Sequence, residues 1–208
     1  MRVGVSAPGV APEVFSATLT NAAARALPAE AAGVLQLRND GPSTILVERV
    51  VEGAPDPASC VPATNGIAVA RRFYDIDGNA IDPRSGAVGR GDTIVVELEI
   101  VPAPDPKTTL EDVIVDELLP AGLEPSLGSL ASIPWAKVPG ELALPLMHRE
   151  VRDDRLVLFA QPFSGRRVFR YSAQAVSSGD FALPPLQASE MYRPARNGRT
   201  APARLVVE

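Results

Sequence analysis

The chain has 208 residues, 46% hydrophobic and 22% charged, a balance that fits a folded protein and excludes a disordered one. A net charge of −5 with no basic stripe excludes a nucleic-acid surface, because phosphate binding needs clustered cations. One cysteine, Cys60, excludes an internal disulfide, and one histidine with one cysteine cannot furnish a zinc tetrad.

Residues 1–13, rich in Pro, Gly and Ala, read as a loose lead-in. They hold one basic residue and no apolar run of signal-peptide length, and no segment approaches the ~18 apolar residues of a membrane helix. Taken alone, this chain is expected to be soluble and unexported; as a piece of a longer exported protein, its own start says nothing of location. Residues 14–19 are compatible with a strand, and the Ala-rich run 21–32 with a short helix broken at Pro28. Residues 34–38 read as a strand, Asn39-Asp40-Gly41-Pro42 as a turn and residues 44–51 as the returning strand, because Asp and Gly both tolerate positive φ.

Residues 53–64, with three prolines, form the best domain boundary. Residues 67–74 then read as a strand, Asp75-Ile76-Asp77-Gly78-Asn79 as a turn and residues 80–82 as a short extended piece. The stretch 91–122 organises the remainder of the chain. Ile94, Val96, Leu98 and Ile100 alternate with Thr93, Val95, Glu97 and Glu99, the period of a half-buried strand. A Pro-rich gap at 101–107 ends it, and a second strand at 113–116 stops at Leu118-Leu119-Pro120-Ala121-Gly122. A long loop carries Pro134-Trp135 and Pro139-Gly140. Strands are expected at 149–152, 156–159, 168–175, 181–183 and 204–207. In 168–175, Phe169, Tyr171, Ala173 and Ala175 face inward and Arg170, Ser172 and Gln174 largely outward. Some ten short strands with regular turns and no convincing helix predict an all-β, antiparallel β-sandwich preceded by a smaller partial β-domain.

The residues that invite chemistry each have a plainer reading. His148 lacks the Gly-x-Ser-x-Gly elbow of a hydrolase and sits beside Arg149 and Glu150, as a solvated strand residue would. Cys60 lies in a Pro-rich loop without a nearby base. Asp75-x-Asp77-Gly78-Asn79 has its glycine at position four, where an EF-hand calcium loop needs it at six and a Glu at twelve, so a turn is expected. Arg90-Gly91-Asp92 spells an adhesion tripeptide but reads first as a turn. No catalytic residue and no cofactor or metal site emerges. Met191-Tyr192, in an apparent loop before Arg193-Pro194, is the one pair read as a contact point, because Tyr and Met are favoured at interfaces; folding back onto the sandwich edge is the alternative.

Taken in sequence, several stretches carry a family resemblance: Leu37-Arg38-Asn39-Asp40-Gly41, Arg72-Phe73-Tyr74-Asp75-Ile76-Asp77-Gly78, Gly91-Asp92-Thr93-Ile94-Val95-Val96 and Val115-Asp116-Glu117-Leu118-Leu119-Pro120-Ala121-Gly122. Arg152-Asp153-Asp154-Arg155, Tyr171-Ser172-Ala173-Gln174, Gly179-Asp180-Phe181-Ala182-Leu183-Pro184-Pro185 and Met191-Tyr192-Arg193-Pro194 continue it. The chain resembles, over about residues 33–208, the C-terminal end of bacterial α2-macroglobulins, protease-trapping proteins of the periplasm. The resemblance implies a partial CUB-like β-domain at 14–66 and a terminal macroglobulin-like sandwich at 67–208. It implies a non-catalytic part of an endopeptidase inhibitor in the periplasm or cell envelope. Its partners would be the parent's thioester domain, trapped proteases through the parent, and a peptidoglycan-synthesis enzyme. The Cys-x-Glu-Gln thioester motif does not occur in these 208 residues, and Cys60 sits in Ser-Cys-Val-Pro. Met191 and Tyr192 are the match for the apolar lid that would shield that thioester from water. A stalk or adhesion module of a bacterial surface protein is the competing resemblance. Such modules carry Lys–Asn crosslinks, for which only Lys107 and Lys137 are present.

Overall fold

The computed structural model describes residues 2–7, 10–16, 36–39, 41, 42, 44, 46–48, 60–126 and 129–208. The chain divides into two compact units, Met1–Ala54 and Pro55–Glu208. In the first, β1 (Arg2–Ala7), β2 (Val10–Ser16) and β3 (Gln36–Asn39) make a three-stranded antiparallel sheet in the order β2-β1-β3. The expected loose lead-in is therefore largely strand. Its Gly and Pro residues do not prevent an antiparallel ladder between Arg2↔Ser16 and Val5↔Glu13. The turn after β3 forms as expected, with the Gly41 amide donating to Asn39 Oδ1 at 3.0 Å. Of the expected returning strand, the described residues Thr44, Leu46, Val47 and Glu48 lie outside any strand, and β3 pairs with β1. The expected helix at 21–32 lies outside the described residues.

The second unit opens with β4 (Ala63–Asn65), β5 (Ile67–Tyr74) and β6 (Ala80–Ile81). Then come β7 (Thr93–Pro102), β8 (Val113–Leu118) and β9 (Leu123–Ser126). Two short 3-10 turns, Ser129–Ser132 and Pro134–Ala136, precede β10 (Leu146–Val151), β11 (Arg155–Ala160) and β12 (Arg167–Ala175). The chain finishes with β13 (Gly179–Leu183), β14 (Leu186–Glu190), β15 (Arg193–Arg199) and β16 (Ala203–Val207). A six-stranded sheet, β10-β11-β8-β14-β15-β4, faces a five-stranded one, β6-β5-β7-β12-β9, and β13-β16 forms a separate pair. Among the described residues every ladder is antiparallel, the sandwich expected from the strand pattern. β4 pairs with β15, so the six-stranded sheet takes in residues upstream of Ile67.

The core lies between the sheets. Ile94, Val96, Leu98 and Ile100 of β7 meet Val113 and Val115 of β8 and Leu156 and Leu158 of β11, all buried. The two strands of the organising stretch thus belong to opposite sheets. The Pro-rich segment between them, 103–112, carries the chain across the sandwich and does not close a hairpin. β7 is also not half-buried. Its second face is covered as well, with Val95 fully buried and Glu97 2% exposed. The cover is the segment after β9, expected only as loop, whose Ile133 and Ala136 pack on Val95. Ser172, expected to point largely outward, is likewise buried on this side and donates to the Ser126 carbonyl.

Trp135 fixes that cover. Its indole N–H donates to the Ile76 carbonyl at 2.7 Å, its ring meets the edge of Tyr74 at 5.6 Å, and the Arg170 guanidinium lies 5.4 Å over it. Gly78, at φ +91, brings the Asp75 turn against the ring, where a Cβ would lie 3.3 Å away. Trp135→Ala removes these contacts together and is expected to cost about 2 kcal/mol, somewhat less than truncating a fully buried Trp. Urea unfolding of the full chain measures it.

Candidate functional site

The structure places the sequence-derived candidates apart from one another. His148 is exposed on β10, its ring 5.8 Å from that of Phe159. Cys60 is a half-buried free thiol. In the Asp75 turn both carboxylate oxygens are already used. Oδ1 accepts the Asp77 and Asn79 amides at 2.9 and 2.8 Å, and Oδ2 accepts the Asn79 side chain at 2.8 Å. The hydrogen bonds from the Asn79 side chain and backbone hold the Asp75 carboxyl below its usual range, so the geometry is that of a closed turn. Among the described residues, no cluster of three His, Cys, Asp or Glu side chains could hold a metal. Arg90-Gly91-Asp92 is exposed, but its backbone is tied inward. The Arg90 amide donates to the Glu208 carbonyl and the Gly91 amide to that of Ala175, each at 2.7 Å, while Asp92 Oδ2 accepts the Gly89 amide. Lys107 and Lys137 are exposed loop residues.

Met191 and Tyr192 stand differently. The loop expected there is the turn of a hairpin, since residues 186–190 and 193–199 are strands. Sequence patterning missed both because Pro184-Pro185 before the first and Pro194 within the second read as breaks. The first pair precedes β14 and leaves its ladder intact, and Pro194 falls in a bulge that needs no amide. At the tip Tyr192 is 81% exposed and Met191 45%. Tyr192 does not fold back onto the sandwich edge, while about half of Met191 is covered.

At the base of the hairpin a buried carboxylate meets more exposed charged partners. Glu190 is 1% exposed, and Oε1 accepts the Glu111 amide at 2.9 Å and Arg196 Nη1 at 3.1 Å. Arg193 Nε lies 2.9 Å from Oε2 and its Nη2 donates to Glu111 Oε2 at 2.9 Å. The Met191 amide donates to the Asp112 carbonyl at 3.0 Å. A large amphipathic ring therefore projects from a backbone braced on two sides.

Two further buried ionic groups were not visible in the sequence pattern. Glu97 is held by Arg170 Nη2 at 2.6 Å and Arg72 Nη1 at 3.1 Å on the outer face of β7. Inside the sandwich, Arg71 Nη1 reaches both oxygens of Glu117 at 3.0 and 2.9 Å, and Tyr171 donates to Oε1 at 3.0 Å. Burial pushes the Glu117 carboxyl up, with Arg71 opposing it, and burial also pushes the Tyr171 phenol well up. The available signal was phase: Arg71 follows Ile67 and Val69, and Glu117 follows Val113 and Val115, in the apolar register of their strands.

Comparison with known proteins bears on what this tip belongs to. Residues 66–195 match the family model described as the bacterial alpha-2-macroglobulin MG10 domain. An alpha-2-macroglobulin of Xylella fastidiosa strain 9a5c is 33% identical over 169 residues, covering 76% of this chain and 10% of that protein. One from Pasteurella multocida is 31% identical over 143 residues, covering 67% and 7%. This chain thus spans about a tenth or less of the length of these curated relatives. The crystal structure of native Escherichia coli alpha-2-macroglobulin from MG7 to the C-terminus matches with a TM-score of 0.60 at 26% identity, covering 72% of this chain and 24% of that one. The Salmonella alpha-2-macroglobulin reacted with methylamine matches in fold, with a TM-score of 0.71 at 24% identity over 99% of this chain and 13% of that one. The chain belongs to the bacterial alpha-2-macroglobulin family, and it carries that family's MG10 domain at residues 66–195.

Proposed function

We propose that this chain is the non-catalytic C-terminal portion of a bacterial alpha-2-macroglobulin-type protease-trapping inhibitor. On this reading its terminal sandwich packs over the parent's thioester domain, and Met191 and Tyr192 shield the thioester. The observation that carries it is the braced, solvent-projecting Tyr192 at the tip of a hairpin in a macroglobulin domain. A thioester survives only where water and amines are kept out, and an aromatic ring with a thioether beside it supplies an apolar cover. Residues 14–66 would then be the returning part of a CUB-like domain and residues 67–208 the terminal macroglobulin-like domain. Proteases would be partners through the parent, in the periplasm or cell envelope. Among the described residues no helix is long and apolar enough to cross a membrane.

The stalk reading fares worse. Isopeptide formation needs a desolvated, uncharged amine held against an amide. Lys107 and Lys137 are both exposed.

The test uses the intact parent carrying Met191→Ala and Tyr192→Ala. Methylamine incorporation is expected to rise at least about tenfold over wild type, as expected when a buried reactive group becomes open to solvent. Unchanged reactivity would remove the shielding role.

A further inference from the structure

Glu190 occupies a core position yet serves the tip. Along β14 the buried positions are Leu186, Ala188 and Glu190, so strand alternation carries a carboxylate into the sandwich. Burying a carboxylate is unfavourable, and a well-packed apolar residue there often serves stability as well or better. The ionic group does something an apolar residue would not: at the hairpin base it ties the end of β14 to the lead-in of β8 and to both sides of the bulge in β15. The Glu111 amide comes from the lead-in to β8, Arg193 from the first residue of β15, and Arg196 from the bulge behind it. That bulge arises because the ladder steps from Ser189↔Asn197 to Glu190↔Arg193, leaving residues 194–196 unpaired in it. Arg196 lies over Gly66, which is at φ +89, and a Cβ at that position would crowd Arg196 Nε at 3.2 Å. The Met191 amide is tied separately to Asp112, which is itself held at φ +48. The backbone at the tip is therefore fixed while both side chains stay in solvent.

We propose that Glu190, acting with Arg193 and Arg196, is a positioning residue that preorganises the Met191–Tyr192 tip for docking into the parent's thioester domain. The occupant rests on the proposed shielding role and on the roughly nine-tenths of the family protein that lies beyond this chain's span. A tip held in its docking geometry for only part of the time binds with an affinity lowered by that fraction, so about a tenth occupancy means a Kd about tenfold higher. Glu190 would act on the tip through its neighbours, because its hydrogen bonds and ion pairs go to the Glu111 amide, Arg193 and Arg196, which flank the Met191–Tyr192 turn.

The test is run on the full chain with Glu190→Gln, Tyr192→Ala and the double variant. Native-state amide exchange is read at Met191 and at Leu98 in the core, and binding is measured to a separately produced thioester domain of the parent. In Glu190→Gln, Met191 exchange is expected about tenfold faster with Leu98 unchanged, since local opening is decoupled from global unfolding. Binding is expected about tenfold weaker in the Tyr192 background, with no further loss on top of Tyr192→Ala, because a positioning residue has nothing to present once the ring is gone. Unchanged Met191 exchange overturns the proposal. So does a parallel loss at Leu98, which would make Glu190 a general stability element. Binding weakened by Tyr192→Ala but not by Glu190→Gln overturns the positioning role and leaves the shield standing. Normal binding by Tyr192→Ala, with Met191 exchange accelerated in Glu190→Gln, removes the shield and leaves Glu190 as the tip's brace.

Discussion

Replacing Arg71 by methionine is expected to lower the stability of the sandwich by about 3–5 kcal/mol, the usual cost of stripping one partner from a buried ion pair. Arg71 stands on β5 of one sheet and Glu117 on β8 of the other, so their contact clips the two layers together. Arg71 Nη2 also donates to the Pro184 carbonyl at 2.6 Å, just before β14 enters the same sheet as Glu117. Without the guanidinium, Glu117 keeps only the Tyr171 hydroxyl and remains buried. The loss is a large part of the roughly 5–15 kcal/mol that holds a domain folded. Urea unfolding measures it, and Arg71→Met with Glu117→Leu provides the control. Removing both charges is expected to restore much of the stability, because an apolar pair carries no desolvation cost. The deficit of Arg71→Met also has a sign in pH. Burial raises the folded-state pKa of Glu117, and the variant lacks the opposing cation. Between the unfolded and folded pKa values the folded state binds more protons, so stability falls as pH rises through that window. The deficit is expected to be smaller at about pH 5 than at about pH 8. Equal deficits would show that Glu117 does not titrate in the folded variant.

Gly198→Ala is expected to cost about 3 kcal/mol or more, at the upper end for overpacking, and to do so by separating backbones. A Cβ at Gly198 would stand well inside van der Waals contact of the Ile67 carbonyl oxygen and 3.0 Å from its carbon. Backbone cannot rotate aside as a side chain can. β15 must therefore move from the junction of β4 and β5, losing the Asn65–Asn197 side-chain bond of 3.1 Å on the way. Gly91→Ala is the calibrating comparison. Gly91 has φ +94 but nothing within 4 Å of a new Cβ, so only left-handed backbone strain remains, about 1–2 kcal/mol. Thermal unfolding of the two variants should rank them in that order. Equal costs would mean that β15 accommodates the methyl without moving.

Much of the fold was legible in short stretches. The alternation in β7, the turn at Asp75 and the sandwich class follow from residues two to four apart, which local geometry couples directly. The pair Met191-Tyr192 was legible as two large side chains in an apparent loop after a proline-stopped strand, and both are exposed. Its hairpin was not, because proline marks a break in any sequence and only the ladder shows which amide goes unused. At Thr44 and at Leu46, Val47 and Glu48 the expected returning strand is missing for the converse reason. A turn signal states that the chain reverses, but not that the following residues find a free edge to pair with.

By itself, then, the sequence determined the phase of β7 and β12, the turns at Asn39 and Asp75, the family and the exclusion of an internal disulfide or zinc tetrad. The tertiary structure decided which strands share a sheet, that β7 is covered on both faces, and which cations hold Glu97, Glu117 and Glu190. Phase is set by neighbouring residues through the two-residue repeat of the strand. A charge in the apolar phase, however, is tolerable only with a partner. Arg71 finds its partners 46 and 113 residues further along the chain, a distance over which no local rule reaches.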